Sequence, residues 1–215
     1  MLDLVLKQAG ESEPGFARKT VKWAITCTGD GRFTGVVSLG EGKGRTFDSS
    51  PNLSQPELVG GGEPRAHFLA EGLSTVALYL DGKTEEKDRE KFAAKHGYFV
   101  NLFGSAGSEA PYLSAAFTLL TDTDALEAIR AELTRLKAKP TESATVIVDG
   151  INPLERDEWR AWWRRFRLTV RAPKTNLVKM RCLVTGDFME PAAIHPKIKG
   201  LAGVEGLPTG DVMVG

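Results

Sequence analysis

Arg181-Cys182-Leu183-Val184-Thr185-Gly186 and Ile194-His195-Pro196-Lys197-Ile198-Lys199-Gly200 concentrate the residue types most able to do chemistry in this chain. Pro196 fixes one φ and removes a donor, and Gly186 and Gly200 permit sharp turns, so Lys197 and Lys199 are expected at a stiffened hairpin end. Two ammonium groups two residues apart suit a phosphate backbone, and His195 can donate a hydrogen bond that shapes the loop or meets a phosphate. From Arg164 to Lys199 there are nine Lys and Arg, including Lys174 and Lys179, against two acids, Asp187 and Glu190. The stretch is therefore +7 in a chain whose formal net charge is +0, and the remainder is −7. Such asymmetry suits a surface that meets an anionic partner on one side and protein on another; its plain alternative is a solvated basic face.

Enzymatic constellations are incomplete. No G-x-S-x-G, no phosphate-binding Gly-x-x-x-x-Gly-Lys-Ser/Thr and no dinucleotide glycine fingerprint occurs. Gly60-Gly61-Gly62 lacks the Lys and the following helix. Three histidines, His67, His96 and His195, and two distant cysteines, Cys27 and Cys182, give neither a disulfide framework nor a metal knuckle. Cys182 with His195 faintly resembles a metal-dependent HNH-type nuclease turn, but the second His or Asn and the further Cys are missing. The expectation is a non-enzymatic binding protein with no metal and no cofactor.

The elements that must position these residues read as α+β, with antiparallel hairpins and short strands packed against several amphipathic helices. With 215 residues and 41% hydrophobic content the chain can bury a substantial core. No apolar run is long enough for a membrane helix and no secretory signal is evident, so a cytoplasmic protein is expected. Residues 21–28 alternate and break at Gly29-Asp30-Gly31 before residues 33–39, which reads as a β-hairpin. Residues 40–62 are poor in periodic apolar residues and rich in Gly, Ser and Pro, which marks a binding loop over 40–65 carrying Lys43, Arg45 and Arg65. Residues 73–80 read as a buried strand. Thr84 is placed to cap a helix with Phe92, His96, Phe99 and Phe103 on one face, His96 being a core histidine.

Pro111 opens another helix with Leu113, Phe117 and Leu120. Asp122 or Thr123 caps one carrying Leu126, Ile129, Leu133 and Leu136, and 144–148 is a short strand. Asn152 and Pro153 begin a helix that puts Trp159, Trp162, Trp163 and Phe166 on one face, as core or as subunit interface. Arg156, Arg160, Arg164, Arg167 and Arg171 form a stripe on it, which can track phosphates or acidic subunits. Two domains are expected, 1–150 and 151–215, or one continuous domain.

The Cys182-Leu183-Val184-Thr185-Gly186 and His195-Pro196-Lys197-Ile198-Lys199-Gly200 runs also resemble a signature of the large subunit of the type I-C CRISPR Cascade complex, the RNA-guided surveillance particle of bacterial antiviral defence. Weaker echoes follow in the family's order: residues 14–21, 69–78, Lys91-Phe92-Ala93-Ala94, Val148-Asp149-Gly150 and Arg160-Ala161-Trp162-Trp163-Arg164. Family members are longer, so the chain resembles their N-terminal portion. The resemblance implies a non-catalytic subunit assembled with CRISPR RNA and Cascade backbone subunits. It would recognise the protospacer-adjacent motif on target double-stranded DNA and present the particle to a helicase-nuclease. On this reading Lys43, Arg45 and Arg65 are candidates for motif reading, and Lys174, Lys179, His195, Lys197 and Lys199 for DNA contact. A scaffold that docks CRISPR RNA and subunits without reading DNA is the alternative.

Overall fold

The computed structural model describes residues 13–59, 62–171, 179–181 and 186–189, and its architecture is α+β. Its centre is the apolar pentapeptide of β2 (Trp23–Cys27), in which Ala24 and Ile25 are fully buried on opposite faces of the strand. A strand covered on both faces belongs inside a sheet. β2 pairs antiparallel with β3 (Phe33–Ser38) and parallel with β6 (Ser143–Val148), and β5 (Ala70–Gly72) adds antiparallel to β6. The order is β3-β2-β6-β5.

The β2–β3 hairpin expected from the alternation forms, closed by Thr28 N–H donating to the Arg32 carbonyl at 3.0 Å. Gly31 in its turn has φ 84°, and a Cβ there would sit 2.9 Å from the Ala115 carbonyl oxygen. Glycine is therefore required both by the turn and by the approach of the helix beneath it.

β1 (Phe16–Val21) and β4 (Arg45–Pro51) form a separate antiparallel ribbon, with a register shift between Ala17 and Lys19. This corrects the long loop expected over 40–65, which contains β4 and a short helix α1 (Gln55–Val59). The strand escapes a periodicity reading because Phe47 is its one large buried apolar residue, among Arg, Thr, Asp and Ser.

The expected strand at 73–80 is also corrected. Pairing stops at Gly72, and Leu73–Val76 turn into a short helix, α2. A short continuous apolar run fits a buried helix turn as well as a strand.

Three longer helices follow. α3 (Glu86–Ala106) contributes His96, Phe99, Val100, Leu102, Phe103 and Ala106 to the core, so only its C-terminal half is embedded. His96 is buried and pairs through Nδ1 with the Thr75 carbonyl at 2.9 Å, a packed core histidine as expected. Thr84 does not cap α3. Glu85 stands at the cap position, while the Thr84 hydroxyl donates to Asp81 at 3.2 Å. α4 (Tyr112–Thr121) starts just after Pro111. α5 (Thr123–Arg135) is capped by the Asp122 carboxylate, which accepts from the backbone N–H groups of Asp124 and Ala125.

After β6, Asn152 caps a single 3-10 turn (Pro153–Glu155) rather than the long helix, which begins as α6 (Arg160–Arg171). Trp159 and Trp163 are fully buried in the same hydrophobic cluster as β1, β2 and β6, with Phe68 against both rings at 5.8 and 5.6 Å. Their indole N–H groups donate to the carbonyls of Pro153 and Gly15, both at 2.8 Å. Trp162 is partly buried and stacks on Phe166 at 5.1 Å. Among the described residues no helix is long and apolar enough to cross a membrane.

Candidate nucleic-acid interface

Chain connectivity leaves β3 at Ser38 and must reach β4 at Arg45, and five residues, Gly40 to Gly44, make the reversal. The Gly44 N–H donates to the Glu41 carbonyl at 3.1 Å, and the Leu39 N–H to the Lys22 carbonyl at 2.7 Å. Gly44 has φ 104°, and a Cβ on it would lie 2.3 Å from the Val21 carbonyl oxygen, so the turn rests directly on the β1–β2 junction. Lys43 is thereby held on a tight backbone base with its side chain exposed and without an ion pair or hydrogen bond among the described residues. An unpartnered cation on a fixed turn is available to an anion outside the chain.

The other two cations of the expected loop are engaged internally. Arg45 lies opposite Val21 in the ribbon, ion-paired with Glu155 and with its guanidinium 5.1 Å from the Phe47 ring centroid. Arg65 is half-buried and donates to the Glu57 backbone carbonyl at 2.5 Å. Lys179 is exposed, next to a two-residue ribbon formed by β7 (Met180–Arg181) and β8 (Phe188–Met189). Lys174, His195, Lys197 and Lys199, and with them Cys182, lie outside the described residues.

Arg156 precedes α6, and three arginines of the expected stripe, Arg160, Arg164 and Arg167, have partners inside the chain. Arg160 pairs with Asp157 at 2.5 Å and reaches the Ser49 hydroxyl at 3.0 Å. Arg164 forms a two-pronged pair with Glu13, at 2.5 and 2.8 Å. Arg167, buried, pairs with the buried Glu57 at 2.7 Å and donates to the Pro14 carbonyl. Off the stripe, Arg165 meets Glu109 at 2.6 Å. Local pairing is limited to Arg160 with Asp157 at the start of α6, and Arg164 and Arg167 find their carboxylates on residues more than 100 positions away.

Glu57 is the centre that sequence reasoning missed. One carboxylate oxygen accepts the Ser54 N–H at 2.6 Å, the other accepts Arg167, and its carbonyl accepts Arg65. A buried carboxylate needs this many donors. Nothing local in the sequence marks Glu57, since Arg167 is 110 residues away.

Burial first, then the nearby Asp149 and Asp30 charges, push the Cys27 thiol up to about 11, where the thiolate is scarce at neutral pH. No cluster of His, Cys, Asp and Glu suited to a metal ion occurs among the described residues. The family model described as CRISPR-associated protein (Cas_Csd1) matches residues 5–209. No curated protein matches the chain.

Proposed function

Because the chain belongs to this family of CRISPR-associated, Cascade-type proteins, we propose that it is a non-catalytic large-subunit component of a type I-C particle that reads the protospacer-adjacent motif and grips target duplex DNA. The observation that carries this reading is the family match across residues 5–209, which includes both the Gly40–Gly44 turn and the basic segment ending at Lys199. In RNA-guided recognition the protein reads a few base pairs and the phosphates, and the guide reads the rest. Lys43 supplies an exposed cation on the glycine turn, and, with Arg164, Arg165 and Arg167 neutralised inside the chain, the phosphate contacts come from Lys174, Lys179, His195, Lys197 and Lys199. CRISPR RNA, backbone subunits and a helicase-nuclease are its partners, and the helicase-nuclease does the cutting.

The test uses the particle reconstituted with CRISPR RNA and backbone subunits on duplexes with a cognate or scrambled adjacent motif. Tighter binding to the cognate duplex is expected, and Lys197→Ala with Lys199→Ala should flatten the dependence of log K on log salt by roughly two. Equal binding to both duplexes would favour the scaffold reading. Metal-dependent cutting by the purified chain, abolished by His195→Ala, would favour the nuclease.

A further inference from the structure

Arg89 and Arg130 stand apart from the arginines of α6. Arg89 donates through Nε to the Thr84 carbonyl at 3.1 Å, and Arg130 through Nη1 to the Ala77 carbonyl at 3.4 Å. Neither guanidinium has a carboxylate partner among the described residues, in contrast to Arg160, Arg164, Arg165 and Arg167. A backbone carbonyl orients each side chain without neutralising it, and the remaining N–H donors stay open. Both arginines line one cavity of about 530 Å³, bounded by α3, by α5 and by the segment following α2. Thr134, one turn on from Arg130, shares its face of α5, and Leu78 and Tyr79 belong to the third wall. No Asp or Glu is among the described residues that line the cavity, so two positive charges face it without a counter-ion. Leu78 has φ 50°, a left-handed backbone that a bulky side chain avoids and that recurs where a fold clamps a ligand.

We propose that this cavity binds the terminal phosphate of a nucleotide, held between Arg89 and Arg130, with the base against Tyr79. Charge selects the group. A phosphomonoester carries about −1.5 to −2 at pH 7 and meets both guanidiniums with two-pronged hydrogen bonds. A phosphodiester or a carboxylate carries a single charge and leaves one arginine uncompensated. The cavity falls within the range of small-ligand pockets, about 300–1,000 Å³. Tyr79 is half-buried and offers an aromatic wall, on which bases stack with little regard to their identity. The site therefore selects the phosphate more than the base. A free nucleotide and the 5′-phosphorylated end of a nucleic acid present the same chemistry. The inference uses neither Lys43 nor any lysine of the basic stretch, so it and the proposed reading of the adjacent motif can fail separately.

Calorimetric titration of the full chain with adenosine 5′-monophosphate, adenosine and inorganic phosphate tests the site. The monophosphate should bind, inorganic phosphate should bind more weakly, and adenosine should not bind. Arg89→Gln and Arg130→Gln should each weaken the monophosphate about tenfold, the usual size of a lost hydrogen bond to a charged group. Tyr79→Leu should weaken the monophosphate severalfold and leave inorganic phosphate unchanged. Arg89 is exposed, so Arg89→Gln should keep the melting temperature and carries the test alone if Arg130→Gln does not fold. A second arm compares a 5′-phosphorylated with a 5′-hydroxyl oligonucleotide. Preference for the phosphorylated end, lost in Arg89→Gln, assigns the site to a chain end; monophosphate binding without that preference assigns it to a free nucleotide. Binding of neither the monophosphate nor the phosphorylated end, equal binding of adenosine, or affinity indifferent to both arginine changes would overturn the proposal.

Discussion

α6 and the Gly40–Gly44 turn both carry cations that composition would assign to an anionic partner, and they differ in where the anion is. On α6 the anions are the chain's own: Asp157, Glu13, Glu57 and Glu109 take up Arg160, Arg164, Arg167 and Arg165. On the turn Lys43 is exposed with no internal partner, while its neighbour Arg45 is held by Glu155. A basic stripe on a helix is therefore a stitching device here, and a single lysine on a glycine-based turn is the more available cation. The contrast can be broken by showing that an α6 arginine acts on DNA without harming the fold, or that Lys43 is needed for the fold.

The largest effects belong to α6. Arg167→Ala leaves the Glu57 carboxylate buried with one donor gone, and breaking a buried pair from one side costs about 3–5 kcal/mol. Chemical denaturation should show that loss, with DNA affinity unchanged in whatever fraction remains folded. Trp163→Ala should cost a similar amount, about 3–5 kcal/mol, because it empties a fully buried site against Phe68 and removes one of the two donors to the Gly15 carbonyl, the Asn52 N–H being the other. Assembly with other subunits should then fall only in step with the melting temperature. Normal melting with selective loss of assembly would return Trp163 to the status of an interface residue.

These assignments mark what was legible beforehand. The hairpin of β2 and β3, the strand β6 and the helices α3, α4 and α5 stood out because their apolar residues recur at a clear period and because Asp122 and Pro111 punctuate them. β4 did not, since a strand in a two-stranded ribbon needs only one large buried side chain, Phe47, to hold its face. The exposure of Lys43 was readable from the glycines around it. The engagement of Arg45, Arg65, Arg164 and Arg167 was not, because each partner is fixed by tertiary folding: Glu155 lies beyond β6, and Glu13 is 151 residues from Arg164.

A middle-sized effect comes from Glu142, which ties the loop after α5 to the central strand. Its carboxylate accepts the Trp23 indole N–H and the Lys22 ammonium, both at 2.7 Å, and the Lys139 N–H at 3.0 Å. Burial alone would raise its pKa, but these donors outweigh it and hold the carboxyl below the ordinary value of 4.5. A depressed folded-state pKa contributes stability that is present above the unfolded value and is lost as pH falls through the folded one. Melting temperature should therefore drop on acidification below about pH 4.5, and Glu142→Gln, less stable at neutral pH, should show a shallower acid limb. An acid limb identical in slope to that of the unmodified chain would detach Glu142 from acid sensitivity.

Lys43→Ala carries the smallest expected change in stability and the sharpest test of the contrast. The side chain is exposed and makes no ion pair or side-chain hydrogen bond among the described residues, so its removal should move stability by no more than about 0.5 kcal/mol, the usual range for a surface site. In the reconstituted particle the same change should lower the salt slope of duplex binding by about 0.9, the contribution of one released counterion. If Lys43 meets only phosphate, cognate and scrambled duplexes lose affinity alike; if it reaches a base edge, the cognate duplex loses about 1–3 kcal/mol more. Lys43→Arg should preserve the phosphate contribution and change the base-edge one, because guanidinium and ammonium carry the same charge but present different donor geometry. An unchanged slope with unchanged affinity on both duplexes would show that the free cation on the turn has no DNA partner, and the distinction between the turn and α6 would then be one of exposure alone.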